Sequence, residues 1–171
     1  MTATQTGQGQ HVIGVFDSLD EARQAVEQLR EQGVPLDDIS IVLNLENETT
    51  VSGFVTASET AKEGVRLGAL SGGLFGLLSG AAFLFVPGVG PLAVIGPLAS
   101  TLLGAGEGAI LGGAMGALFG KIMERKRIPK YEQHLKDRKY LVVVRSSPDR
   151  HEQIQDSMQG TAASEVQTEA A

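Results

Sequence analysis

Residues 67–120 read LGALSGGLFGLLSGAAFLFVPGVGPLAVIGPLASTLLGAGEGAILGGAMGALFG, with Glu107 the one charged residue. Glycine recurs at every fourth position in two sets. The first is Gly68, Gly72, Gly76 and Gly80; the second is Gly104, Gly108, Gly112, Gly116 and Gly120. Four residues advance an α-helix by about 400°, so each set forms a slowly drifting stripe on one helix face. Glycine costs roughly 1 kcal/mol against alanine inside a helix in water. In lipid the same stripe lets two backbones approach and pack by dispersion. The pattern predicts a glycine-zipper α-helical hairpin that is transmembrane or buried in an equally apolar assembly core.

A helix over 67–85 would be about 28 Å long, close to the ~30 Å of a hydrocarbon core. Leu70, Leu74, Leu77 and Leu84 would lie opposite its glycines and face lipid. The run Val86, Pro87, Gly88, Val89, Gly90, Pro91 breaks that helix. Gly96-Pro97 is a second break, which places the start of the second helix near Pro97 and its end near Arg125. Thr56 and Glu59 form a capping box that starts the first arm in water. Lys62 and Arg66 flank one open end, and Lys121, Arg125, Lys126, Arg127 and Lys130 flank the other, whereas the turn is uncharged. This distribution predicts an inner or internal membrane with both termini cytoplasmic.

Outside the hairpin the chain is polar. Residues 1–10 read as a disordered tail rich in Thr, Gln and Gly. Residues 11–17, HVIGVFD, read as a strand. Ser18 and Glu21 make a capping box, and Ala22, Ala25, Val26 and Leu29 follow at helical spacing. Gly33 and Pro35 stop that helix. Residues 38–44 form a second strand, in which Ile39, Ile41 and Leu43 alternate. Residues 129–139 read as a short helix with Tyr131 and Leu135 inward, and 140–146, YLVVVRS, as the strongest strand. Ser147-Pro148 opens a further helix with His151, Ile154 and Met158 on one side and Gly160 at its end. Residues 163–168 form a last, weak strand. Both halves read β-α-β, so the fold class is α+β. A ferredoxin-like domain (11–55 and 128–168) is interrupted by the hairpin (56–127), with a short tail at 169–171.

The segments VIGVFDSLDEARQAVEQLREQGVPLDDISIV (12–42), PGVGPL (87–92) and IPKYEQHLKDRKYLVVV (128–144) resemble a bacterial family of general stress proteins, also called heat-induced or low temperature-induced proteins. The resemblance covers most of 11–160. It implies a stress-linked, membrane-associated protein without known catalysis, and it supplies no catalytic residues. Glu107 departs from the family pattern, where an apolar or small residue is expected.

Chemistry is sparse in this sequence. There is no cysteine, hence no thiolate nucleophile and no Cys-based metal site. The formal net charge of −6 argues against a nucleic-acid partner. Gly104 to Gly108 lacks the G-x-G-x-x-G spacing, and Gly120-Lys121 is followed by Ile122 rather than Ser or Thr, so no phosphate loop is read. His11, His134 and His151 have no metal-ligand spacing. Ser18, Ser58 and Ser147 are caps or turn starters. The reading therefore assigns no catalytic residue, metal or cofactor and no small-molecule ligand.

Two features remain. Glu107 would sit on the shoulder of the glycine face; a carboxylate at mid-membrane costs roughly 2.5–3.5 kcal/mol. It is either a proton or cation site in a ring of hairpins, or a protonated, hydrogen-bonded group. Lys121, Arg125, Lys126, Arg127 and Lys130 are either snorkelling anchors or an anionic headgroup site. The expected partners are membrane lipid and further copies of this chain. The leading expectation is a non-enzymatic protein that oligomerises through its glycine helices to scaffold or stabilise membrane. The alternatives are a soluble oligomer whose hairpins share an apolar core, an ion-conducting ring using Glu107, and a ligand sensor.

Overall fold

The structure is a computed structural model that describes residues 10–47, 81–99, 113, 115, 116, 118–120 and 122–170. Its frame is a six-stranded antiparallel sheet with helices on both faces, an α+β architecture. The strands are β1 (Gln10–Phe16), β2 (Ile39–Asn44), β3 (Ala81–Val86), β4 (Gly90–Ile95), β5 (Tyr140–Ser146) and β6 (Glu165–Ala170), and their spatial order is β3-β4-β2-β5-β1-β6. The helices α1 (Leu19–Glu31), α2 (Ile128–Lys136) and α3 (His151–Gln159) complete the frame. β1 lies at the centre of the chain-end pairing. Val12 is opposite Val144 of β5 on one side and Thr168 of β6 on the other.

α1 begins where its capping box predicts. Ser18 Oγ accepts the Glu21 N–H at 3.2 Å, and Glu21 Oε2 accepts the Ser18 N–H at 3.2 Å. Such a cap contributes about 1 kcal/mol. Ala22, Ala25, Val26 and Leu29 are buried, and Gly33 takes the left-handed conformation (φ 84°) after the helix. α2 ends at Lys136 rather than at 139, where Arg138 adopts the left-handed conformation (φ 64°) that glycine usually fills.

Alternation along the strands divides the sheet into two cores. Val12, Phe16, Ile39, Ile41, Val142 and Val144 face α1 and α3, where Ile154 and Met158 meet them. Ile13, Val15, Val42, Leu141 and Val143 face the other way, against Tyr131 and Leu135 of α2. This second face is also covered by residues from the middle of the glycine-rich stretch and from its C-terminal end. Leu98, Ala99, Met115, Leu118, Phe119, Ile122 and Met123 are all buried in it.

That covering corrects several expectations for residues 67–125. Residues 81–85 are not the end of a 67–85 helix but strand β3. Residues 90–95 are not part of a helix-breaking turn but strand β4, paired from Ala81↔Ile95 to Val86↔Gly90. Two short apolar runs around Pro87-Gly88-Val89 make a hairpin, and periodicity cannot separate a short apolar strand from a buried helix segment. Leu84, expected to face lipid, packs partly buried against the second core.

The second helix does start at Pro97, since residues 97–99 are helical. Ser40 Oγ accepts the Leu98 N–H at 3.1 Å, which satisfies a donor of its first turn. Gly96 (φ 101°) precedes it, and a methyl group there would press into the Ile39 carbonyl. The second arm is not helical as far as Arg125: Phe119 is the last described helical residue before it, Gly120 is a turn, and Arg125–Arg127 is a separate 3-10 turn. Both ends of the expected second arm thus rest on one sheet face. No helix among the described residues is long and apolar enough to cross a membrane.

Phe119 is fully buried and stacks on Tyr131, with ring centroids 6.0 Å apart. Phe119→Ala should therefore lower the stability of the sheet domain by about 3–5 kcal/mol. Urea unfolding followed by circular dichroism checks this; an unchanged midpoint would mean that Phe119 does not lie on the sheet.

Candidate functional site

The densest polar constellation is a strap between α2 and β6. Helical spacing puts Arg127, Lys130, Tyr131 and His134 along one side of the α2 region. Strand spacing puts Glu165, Gln167 and Glu169 on one side of β6. Glu169 is buried, at 3% exposure, and its Oε1 accepts Arg127 Nη1 at 2.9 Å and the Tyr131 hydroxyl at 3.0 Å. Glu165 pairs with Lys130 and faces His134 Nε2 at 3.4 Å. Burial first, then the neighbouring Glu169 carboxylate, push the Tyr131 phenol well above its ordinary range. Hydrogen bonding to Glu169 likewise raises the Arg127 guanidinium. A buried carboxylate with two donors fastens an edge strand, and Arg127, Lys130 and Tyr131 are all engaged by the β6 carboxylates.

A second network lies on the opposite face. Ser146 Oγ stands 2.7 Å from His151 Nδ1, and His151 Nε2 stands 3.1 Å from Thr168 Oγ1. The Ser–His contact was not visible as a motif, since His151 reaches back from α3 to the end of β5. It lacks the acid of a catalytic triad, because a threonine hydroxyl occupies the orienting position. Ser146 is also 3% exposed and donates to the Gln10 carbonyl at 3.1 Å. The arrangement ties β1, β5, β6 and α3 together rather than presenting a nucleophile.

A small opening of about 200 Å³ lies where the sheet meets the start of the 97–99 helix, between His11, Asp38, Ser40, Leu98, Val143 and Arg145. It is smaller than the roughly 300–1,000 Å³ usual for ligand sites. Arg145 donates Nε at 3.0 Å and Nη2 at 2.7 Å to Asp38 Oδ1. Among the described residues, no group of three His, Asp or Glu side chains is placed to hold a metal.

Of the residues singled out in the sequence, Gly68, Gly72, Gly76, Gly80, Gly104, Gly108, Gly112, Glu107 and Lys121 lie outside the described residues. A methyl group added at Gly116 would meet no described atom within 4 Å, whereas one at Gly120 would meet the Gly116 carbonyl. The basic residues are not a bare cationic patch. Lys126 pairs with Glu124 at 2.5 Å, Arg127 with Glu169 and Lys130 with Glu165. What the sequence hid was the acid side of the last two pairs, more than thirty residues further on.

The opening β1-α1-β2 unit decides the relationship. Residues 11–84 match the family of the heat induced stress protein YflT domain. The match agrees with the resemblance read in 12–42, 87–92 and 128–144, and it extends from β1 into β3. Neither the curated proteins nor the solved structures give a match.

The strap carries a pH signature. An unfolded tyrosine loses its proton near pH 10, while Tyr131 keeps its proton in the fold. Stability should be intact below pH 10 and fall above it, by up to about 1.4 kcal/mol per pH unit for this group. Tyr131→Phe should flatten that part of the slope when urea midpoints are measured between pH 8 and 11.

Proposed function

We propose that this is a stress-linked protein of the binding and structural class, acting at the cytoplasmic surface of a bacterial inner membrane. The single observation that carries the reading is the pairing of a YflT match at 11–84 with an apolar second arm whose two ends are buried on the sheet at Leu98 and Phe119. The family supplies the stress role. The insertion supplies apolar surface, and the exposed side chains at its exit include Arg125 and Lys126. With both 81–99 and 115–123 held on the sheet, the second arm meets lipid from the surface rather than by spanning it. The contact is worth roughly 25 cal/mol per Å² of apolar area removed from water.

The frame supports a finer assignment. β1-α1-β2 is split by β5, and β5-α3-β6 is split by β1, in the order β2-β5-β1-β6. This order supports reading the frame as a ferredoxin-like unit, widened on the β2 side by the β3–β4 hairpin. The polar networks are engaged in holding this frame, which supports a role without catalysis.

Membrane fractionation tests the proposal. The protein should sediment with membranes at physiological salt and leave them on washing at alkaline pH. Recovery wholly in the soluble fraction before the wash would sink the surface reading; retention after the wash would point to a spanning segment within 48–80.

A further inference from the structure

The two edges of the sheet are unlike. On the β6 side, Glu165, Gln167 and Glu169 and the cations of α2 place charge along the edge, the usual guard against pairing with another chain. On the other side, β3 reads AAFLFV, with no charge, no proline and an unbroken six-pair register to β4. Phe85 is 69% exposed, the one large apolar side chain so exposed among the described residues.

The direction of the free backbone groups follows from one residue. Phe85 lies opposite Pro91, and proline has no N–H. Phe85↔Pro91 is therefore a non-hydrogen-bonded pair, and bonded pairs alternate with it at Val86↔Gly90, Leu84↔Leu92 and Ala82↔Val94. Ala81, Phe83 and Phe85 then direct their N–H and C=O groups away from β4, to the open edge. Among the described residues nothing bonds to them there.

We propose that β3 is a self-pairing edge, which joins antiparallel to β3 of a second copy across a two-fold axis at Phe83. In that register Ala81 faces Phe85 of the second copy, Phe83 faces its own equivalent and Phe85 faces Ala81. All three are outward-bonding residues, so each pair exchanges two backbone hydrogen bonds. A shift that centres the axis on Leu84 keeps Phe83↔Phe85 twice but sets Ala81 against Pro87, which has no N–H to give. A second copy is the fitting occupant because an uncharged strand matches itself without burying a charge, and an antiparallel pair of identical strands closes as an isologous dimer. The strand is about 20 Å long. Pairing along it falls below the ~1,200–2,000 Å² of a standard interface, so the dimer is weak and concentration-dependent. This inference does not depend on the membrane reading.

The test is analytical ultracentrifugation of the full chain from about 1 to 200 μM, beside hydrogen exchange of the β3 amides. The expected result is a reversible monomer–dimer equilibrium, with protection at Ala81, Phe83 and Phe85 that rises with concentration. Phe85→Lys sets charge on the edge, and Phe85→Pro removes an outward N–H without touching the β3–β4 ladder. Each should raise the dimer Kd tenfold or more. Phe85→Lys should leave the thermal midpoint unchanged, which shows that the monomer still folds. A chain that stays monomeric across the range overturns the proposal. So does a dimer whose Kd ignores both substitutions, because it pairs elsewhere.

Discussion

The constraint on which this structure depends is that an antiparallel sheet built from runs such as YLVVV has two apolar faces, and both must be covered. α1 and α3 cover one. α2 is a short helix, offering Tyr131 and Leu135, and cannot cover the other alone. The remainder falls to Leu98, Met115, Leu118 and Phe119, from the stretch whose composition most suggests lipid. Apolar side chains do not distinguish a bilayer from a sheet; they are satisfied by whichever removes them from water. The described parts of the glycine-rich stretch are in this sense part of the domain core, and their role has to be read together with the sheet.

Much of the frame was legible. The capping box at Ser18–Glu21, the helical spacing from Ala22 to Leu29 and the strand at 140–146 are local signals, and local physics determined them. Misreadings arose where the deciding contact is distant. Residues 81–95 are a continuous apolar run, and only the partners at β2 determine that they pair as strands. The alternation noted at Ile39, Ile41 and Leu43 implied one buried face, yet Ser40 and Val42 between them are buried as well. That non-alternating burial was the available clue to a second cover.

The polar networks were illegible for the same reason. Arg127 and Lys130 read as cations beside a membrane because their carboxylates sit on β6, about forty residues on. The last strand runs to Ala170, into the stretch expected to be a tail at 169–171, where Glu169 accepts from Arg127 and Tyr131. Asn44 shows the same economy of long-range contact. Its amide nitrogen donates to the Val89 carbonyl at 2.8 Å and to the Leu135 carbonyl at 3.3 Å, joining β2 to the hairpin loop and to α2. The YflT match ends at residue 84, so α2, β5 and β6, which complete these networks, lie outside the matched stretch.

The position of β1 between β5 and β6 has a consequence for how the chain comes off the ribosome. Both of its neighbours, β5 and β6, are made of residues beyond 139, so the first strand synthesised waits for the last two. At about 5–20 residues per second, the interval between finishing the insertion and finishing β6 is on the order of seconds. During it the apolar segments at 81–99 and 113–123 exist before the surface they later cover. A nascent chain of this design is at its greasiest before the last two strands emerge, and the finished sheet takes that surface out of water.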